Sequence, residues 1–121
     1  RVVITPTYTG CPATRTIEQS IRYALDAARF QHVRIEMTLA PPWTTDWISK
    51  DGLERLEKYG IAPPVRGTAD KRTLFAEAPK PRCPYCKSPN TIMVSAFGST
   101  ACKSQYKCDD CKEPFDYFKC I

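Results

Sequence analysis

Four cysteines in two CxxC pairs are the residues best suited to chemistry in this sequence. Cys83 and Cys86 form the first pair, Cys108 and Cys111 form the second, and 21 residues separate the pairs. Two residues between thiolates allow a tight turn that aims both sulfurs inward, so two such turns joined by a hairpin predict a tetrahedral four-thiolate zinc site. Two disulfides or redox dithiols fit the pattern less well, because a redox motif needs one pair.

The predicted zinc site is closed, since four thiolates fill a tetrahedral shell and leave no position for water or substrate. We therefore expect a structural metal that folds a segment with little apolar core of its own. Lys87 and Lys112 follow the second cysteine of each pair, where such turns usually place glycine with a positive φ. A lysine in that conformation costs about 1 kcal/mol. Either metal binding offsets this cost, or the turns differ from the common type.

Two further thiols, Cys102 and Cys120, lie in the same segment. They are interpreted as small buried hydrophobic residues, as a second thiol pair, or as ligands that exchange with an incoming metal. With six thiols between residues 83 and 121, an iron–sulfur cluster in place of zinc is a further alternative.

Cys11 stands in a Gly-Cys-Pro turn before a predicted helix. The dipole and free N–H groups of a helix N-terminus favour a thiolate, so Cys11 is a candidate reactive thiol or transient metal ligand. The alternative is a turn that only begins the helix. His32, the single histidine, falls at the far end of that helix. No Cys–His catalytic pair is predicted, and we expect a protein that is not an enzyme.

The elements that must position these residues indicate an α+β fold. Helical spacing predicts a helix over residues 12–30, alternation predicts a strand over 33–39, and a second helix is expected between an N-cap at Ser49 and a stop at Gly60. Arg1 opens directly into the apolar run Val2–Ile4, which is interpreted as a strand entered partway, with an N-terminal piece missing.

Three regions follow from these patterns: an α+β domain over residues 1–64, a linker over 65–82 and a four-cysteine ribbon over 83–121. Strands are predicted within the ribbon at 91–97, 104–107 and 114–119, with a break at Gly98. Trp43 and Trp47 follow a Pro-Pro pair and form a tryptophan loop. This loop either covers the small core or provides a binding surface.

The net charge of +5 is concentrated in the predicted linker. Residues 1–64 carry 8 basic and 7 acidic side chains, residues 65–82 carry 5 and 2, and residues 83–121 carry 5 and 4. Because the excess does not lie on a domain, no nucleic-acid partner is predicted. No signal peptide or apolar run of membrane-spanning length is present, so no membrane association and a cytoplasmic location are expected.

Five motifs are spread along the chain: TPTYTGCPA at 5–13, LAPPWTTDWI at 39–48, GIAPP at 60–64, FGSTACK at 97–103 and EPFDYFKC at 113–120. These runs resemble the PaaD family, accessory proteins of the bacterial phenylacetyl-CoA epoxidase system. The resemblance implies that residues 1–64 form an iron–sulfur-assembly domain of the kind shared with SufT-type proteins. Cys11 matches the family's cysteine in the Gly-Cys-Pro turn, and Cys102 and Cys120 belong to the PaaD-like pattern.

This resemblance implies an assembly factor that acts on protein components of the epoxidase, either its di-iron oxygenase or its iron–sulfur reductase. Structural Zn²⁺ is the expected cofactor, and iron or an iron–sulfur cluster is the expected transient cargo. The alternative is a non-catalytic docking protein that binds the epoxidase complex through the ribbon and the tryptophan loop. The client component, the species transferred and the oligomeric state do not follow from the sequence.

Overall fold

The computed structural model describes residues 1–65 and 78–119. The chain divides into two compact units, Arg1–Trp43 and Thr44–Ile121. Both helices and sheets are present, as the α+β prediction required. Among the described residues, no helix is long and apolar enough to cross a membrane.

The first unit is a strand, a helix and a second strand. Strand β1 (Val2–Ile4) pairs in parallel with strand β2 (Ile35–Met37), and helix α1 (Thr14–Ala27) connects them. The predicted strands at both places are confirmed, although β2 is shorter than residues 33–39. None of residues 1–43, all of which the structure describes, is fully buried.

Helix α1 is shorter at both ends than the predicted range of residues 12–30. Ala13 is its N-cap, and the Thr14 amide and hydroxyl both donate to the Cys11 carbonyl, at 3.5 and 2.8 Å, in the turn before the helix. At the other end Arg29 takes a φ of 64°, and the Phe30 amide donates to the Leu25 carbonyl. This left-handed turn ends a helix without glycine, so the sequence carried no usual stop signal there.

The second unit begins with a 3₁₀ turn (Thr45–Trp47) and helix α2 (Lys50–Lys58). The predicted cap is confirmed, because the Ser49 hydroxyl accepts a hydrogen bond from the Gly52 amide at 3.1 Å. The predicted stop is also confirmed, since Gly60 follows the helix with a φ of 73°.

A four-stranded sheet forms the rest of the second unit. It contains β3 (Ile61–Ala62), β4 (Thr91–Ser95), β5 (Lys103–Cys108) and β6 (Pro114–Phe118), in the order β3-β6-β5-β4. The last three strands are antiparallel neighbours and confirm the three predicted ribbon strands, with β4 ending two residues early. After β4 the chain turns back, and the Gly98 amide donates to the Lys103 carbonyl at 2.8 Å.

Strand β3 was not predicted as a strand and pairs in parallel with β6, Ile61 opposite Asp116 and Ala62 opposite Tyr117. Helix α2 packs beside β3. The compact units therefore divide the chain after Trp43, whereas the sequence predicted a boundary at residue 64. The predicted linker over 65–82 lies largely outside the described residues.

The core of the second unit is aromatic. Tyr106, Phe115 and Tyr117 are buried, and the Tyr106 ring stacks on Phe115 at 5.9 Å and meets Tyr117 edge-on at 5.5 Å. Such pairs add to the stabilisation that comes from burial alone. Cys83 and Cys108 are buried in the same cluster, so one half of the cysteine set is built into the core.

Candidate metal centre

Cys83, Cys86, Cys108 and Cys111 converge on one site. Their sulfur atoms all lie within 4.8 Å of one another. The Cys83–Cys111 sulfur distance is 3.7 Å and the Cys86–Cys108 distance is 3.5 Å. A tetrahedral ion with bonds of roughly 2.3 Å requires sulfur separations of roughly 3.8 Å. The spacing fits such an ion and is far too long for a disulfide bond.

The two CxxC turns have the same backbone geometry. In the first, the Cys83 amide donates to the Ser88 carbonyl at 2.9 Å; in the second, the Cys108 amide donates to the Glu113 carbonyl at 3.0 Å. Each bond spans five residues and closes the loop that carries the two thiols. The sheet then brings the turns together, because Thr91 pairs with Cys108 at the start of β4.

Lys87 and Lys112 have φ values of 63° and 64°, so both turns are of the type that usually carries glycine. This settles the two alternatives that the sequence left open. The conformation costs a lysine roughly 1–2 kcal/mol, which the fold must offset at two places.

Helix α2 holds the first turn from the side. The Lys87 ammonium pairs with the Glu57 carboxylate at 2.7 Å. A side chain at Gly60 would be strained by the φ of 73° and would lie too close to the Tyr85 hydroxyl, so the Tyr85 side chain would have to shift. A groove of about 370 Å³ remains between the two elements, lined by Glu54, Glu57, Lys58, Pro84 and Lys87.

The thiols differ in their affinity for protons. Backbone hydrogen bonds, first from Cys111 and then from Asp110, lower the pKa of Cys108 to about 7. A backbone bond from Glu113 opposes the shift at Cys111, but desolvation and the three neighbouring thiols raise its pKa to about 12. Four thiolates this close repel one another, and a bound dication would remove that penalty.

Asp110, between the cysteines of the second pair, was not predicted to have a role. Its carboxylate accepts hydrogen bonds from the Ser88 hydroxyl and the Asn90 side-chain amide, which lie beside the first pair. These bonds, Ser88 first, hold the pKa of Asp110 below its usual range. The sequence carried only a weak indication of this role. Asp110 is a carboxylate inside a metal-binding turn, and such residues are usually exposed to solvent.

Cys102 does not join the four clustered thiols. It precedes β5, whereas Cys108 ends that strand, and six residues at about 3.4 Å each place them roughly 20 Å apart. The Cys102 sulfur lies 3.1 Å from the Thr100 hydroxyl, and its carbonyl accepts from the Lys119 amide at 3.0 Å. Exchange of Cys102 into the cysteine site is incompatible with the folded strand. Its predicted companion Cys120 lies outside the described residues.

Cys11 belongs to the first unit and is partly buried there. It stands three residues before α1 begins, farther from the helix than predicted, and its carbonyl accepts the two bonds from Thr14. Of the tryptophan loop, Trp47 is 53% exposed, while Thr45 beside it is buried. Trp47 is thus available at the surface and is not part of the buried aromatic core.

Comparison with known proteins supports the ribbon from an independent direction. Residues 67–119 match the family model described as the PaaD zinc beta ribbon domain. No solved structure matches the chain.

A relative from Escherichia coli (strain K12) is 50% identical over 117 residues, which cover 97% of this chain and 68% of the relative. That protein is provisionally named as one of the subunits of 1,2-phenylacetyl-CoA epoxidase. The identity extends through both compact units, well beyond the cysteine motifs. With the ribbon match and the converged thiols, it establishes that the chain belongs to the PaaD family.

Proposed function

We propose that this chain is a non-catalytic accessory protein of the phenylacetyl-CoA epoxidase system that helps its client acquire a metal centre. The observation that carries this proposal is the closed set of four thiols, which has room for an ion but none for a substrate. Within the described ranges, no second group of three or more histidine, cysteine or carboxylate side chains is placed to hold a metal. We assign the di-iron or redox centre to a partner, which the name of the relative suggests is an epoxidase component.

The resident ion of the cysteine site is proposed to be Zn²⁺, held by Cys83, Cys86, Cys108 and Cys111. All four ligands are sulfur, and the separations of 3.7 Å between Cys83 and Cys111 and 3.5 Å between Cys86 and Cys108 are close to those of structural zinc. Zinc would supply no redox chemistry there and would fix the turn that precedes β4 to the turn that follows β5. Iron or an iron–sulfur cluster is then cargo for the client.

Cys11 is the residue proposed to meet that cargo. It lies within residues 1–64, the range proposed to form the iron–sulfur-assembly-type domain, and its thiol-bearing turn precedes α1. A single thiolate is a weak site by itself, so it would act as a transient ligand and share the metal with groups of the client.

The decisive experiment measures iron and cluster content in epoxidase components purified from cells with and without this protein. We expect equal amounts of polypeptide but metal-poor components in its absence, and Cys11→Ser should reproduce that deficiency while the variant itself stays folded. Full metal content in the absence of this chain would contradict the maturation role.

A second candidate function is docking onto the epoxidase complex, favoured by the exposed surface of the ribbon. Strand β4 forms one edge of the sheet and contains no charged residue. Ile92, Met93 and Val94 are 50, 44 and 59% exposed. Edge strands usually carry charges that prevent pairing with other chains, so an apolar edge is suited to a protein contact.

Affinity measurements with purified epoxidase components would test docking. Met93→Lys should weaken binding by about tenfold or more if this edge is the contact. Gln105→Lys, on the exposed face of neighbouring β5, is the matched control for added charge. If the protein docks without a role in maturation, the epoxidase should keep its full metal content when Met93→Lys no longer binds it.

A further inference from the structure

The two metal-binding turns are joined by a set of side-chain hydrogen bonds that does not involve the thiols. Asp110 of the second turn accepts from the Ser88 hydroxyl, and the Asn90 amide donates to both Asp110 oxygens at 3.1 and 3.2 Å. The Asn90 backbone amide donates to the Ser88 hydroxyl oxygen at 3.0 Å, which fixes the orientation of that hydroxyl. The Asp109 amide donates to the Asn90 carbonyl at 2.8 Å.

This cluster, Ser88, Asn90, Asp109 and Asp110, is the brace. It connects residues just after the first cysteine pair to residues between the cysteines of the second pair. The charged acceptor strengthens its bonds, because hydrogen bonds to a carboxylate are shorter and stronger than those between neutral groups. The brace lies at the solvent-facing side of the site, where Cys86 is exposed and Cys111 is partly exposed.

A metal leaves a four-thiolate site one ligand at a time, and a competing ligand must approach from the exposed side. Cys83 and Cys108 are fixed in the core, so the exposed thiols, Cys86 and Cys111, are the ones that can detach first. Complete release requires the two turns to separate, because each turn supplies two of the four ligands. The brace opposes that separation at the place where it would begin.

We infer that Asp110 is a positioning residue that holds the two turns at ligand distance and makes release of the ribbon metal slow. This inference rests on the zinc site proposed above. It assigns the ribbon metal as a resident ion and not as cargo, because an ion retained by a brace is poorly suited to transfer.

The test compares two neighbouring carboxylates in the full-length protein loaded with Zn²⁺. Asp110→Ala removes the brace acceptor, whereas Asp109→Ala removes an equal charge from the same turn and leaves the Asp109 backbone bond in place. The readout is the rate at which zinc passes to a chromophoric chelator. We expect about tenfold faster release from Asp110→Ala and about twofold or less from Asp109→Ala.

Ser88→Ala supplies an independent variant that keeps every charge. It removes the hydroxyl that links Asp110 to Asn90 but keeps the Ser88 backbone carbonyl that accepts from Cys83. It should release zinc faster than the unmodified protein, and combining it with Asp110→Ala should add little, because both act through one set of bonds.

Zinc content and zinc-release rate test the zinc site and the brace role of Asp110 separately. Unmodified protein without stoichiometric zinc would overturn the zinc site and the brace role together. Normal zinc content with equal release rates for the two aspartate variants would overturn the brace alone. If Asp110→Ala fails to fold, a zinc-release rate of Ser88→Ala equal to that of the unmodified protein would also overturn the brace role.

Discussion

Lys87 and Lys112 occupy the same position in the two CxxC turns, four residues after the first cysteine of each pair, with φ values that differ by one degree. Both positions hold lysine, although such a turn favours glycine. The two lysines differ in their surroundings, because Lys87 is paired with Glu57. Lys112 attracts the Asp110 carboxylate, but less strongly than the Ser88 and Asn90 hydrogen bonds do, so it is the better place to measure the cost of the conformation.

Lys112→Gly should leave the free energy of unfolding unchanged or raise it by up to about 1 kcal/mol. Relief of the left-handed conformation gains roughly 1–2 kcal/mol, and the added freedom of glycine in the unfolded chain subtracts roughly half of that. Lys112→Val should instead destabilise by about 1 kcal/mol or more, since a β-branched side chain tolerates a positive φ poorly. Urea unfolding of the zinc-loaded protein measures both.

Lys107→Gly is the matched control, because this exposed lysine lies in extended β5. Glycine there should cost about 0.5–1 kcal/mol. A loss of equal size at Lys112 would contradict the assignment of strain to that turn.

The cysteine site should support the whole ribbon sheet. Cys108→Ser is expected to abolish stoichiometric zinc binding and amide protection in β4, β5 and β6, because Cys108 is buried in the aromatic cluster that those strands share. Hydrogen exchange followed by mass spectrometry, with metal analysis on the same sample, measures both effects.

Cys102→Ser provides the control for loss of a thiol near the same strand. Zinc content and protection should remain, since Cys102 lies roughly 20 Å from Cys108 along β5. Loss of zinc in the Cys102 variant would show that the ligand set extends beyond the four clustered thiols.

The metal site was predictable because its information is local. Two residues between cysteines fix each turn, and two such turns in one short segment predict a shared site. Strand β3 was not predictable on the same basis, since two residues carry no periodicity and their partner β6 lies more than fifty residues away. Its pairing transfers α2 and residues 44–65 to the second unit, which is why the compact units differ from the predicted domains.

The brace was not predictable for another reason. Serine, asparagine and aspartate near a turn are usually solvated or bonded to their own backbone. Only the tertiary approach of the two turns places the Asp110 carboxylate against Ser88 and Asn90. The predicted C-terminal end of α1 was wrong for a similar reason, because Arg29 takes a left-handed conformation that arginine seldom adopts.

Cys11 should be alkylated faster at neutral pH than Cys102 if its turn serves a reactive thiol. The prediction rests on its place in the turn before α1, two residues ahead of the N-cap Ala13, since helix N-termini are common sites of reactive cysteines. Cys102 instead has a hydroxyl neighbour, Thr100. Mass-spectrometric ranking of modified sites in the zinc-loaded protein gives the order, and a slow Cys11 would mean that the turn only begins the helix.

Stability should fall in alkaline solution because of Tyr106. Desolvation, reinforced by the nearby Tyr117 hydroxyl, raises the pKa of Tyr106 to about 12, and its hydroxyl donates to the Pro79 carbonyl at 2.7 Å. The folded protein therefore retains a proton that the unfolded chain loses near its ordinary pKa of about 10. Its stabilising contribution is complete below about pH 10 and decreases as pH rises from about 10 towards 12.

Urea midpoints between pH 9 and 12 would follow this loss, with tyrosinate absorbance recorded in parallel. Tyr106→Phe removes the ionisable hydroxyl and one hydrogen bond, so it should lower stability at pH 8 but flatten the decline above pH 10. Tyr23→Phe, at a tyrosine 78% exposed on α1, should change neither. If the urea midpoint of Tyr106→Phe fell as steeply above pH 10 as that of the unmodified protein, groups other than Tyr106 would cause the loss of stability. Burial of the Tyr106 ring would then have no part in the pH dependence.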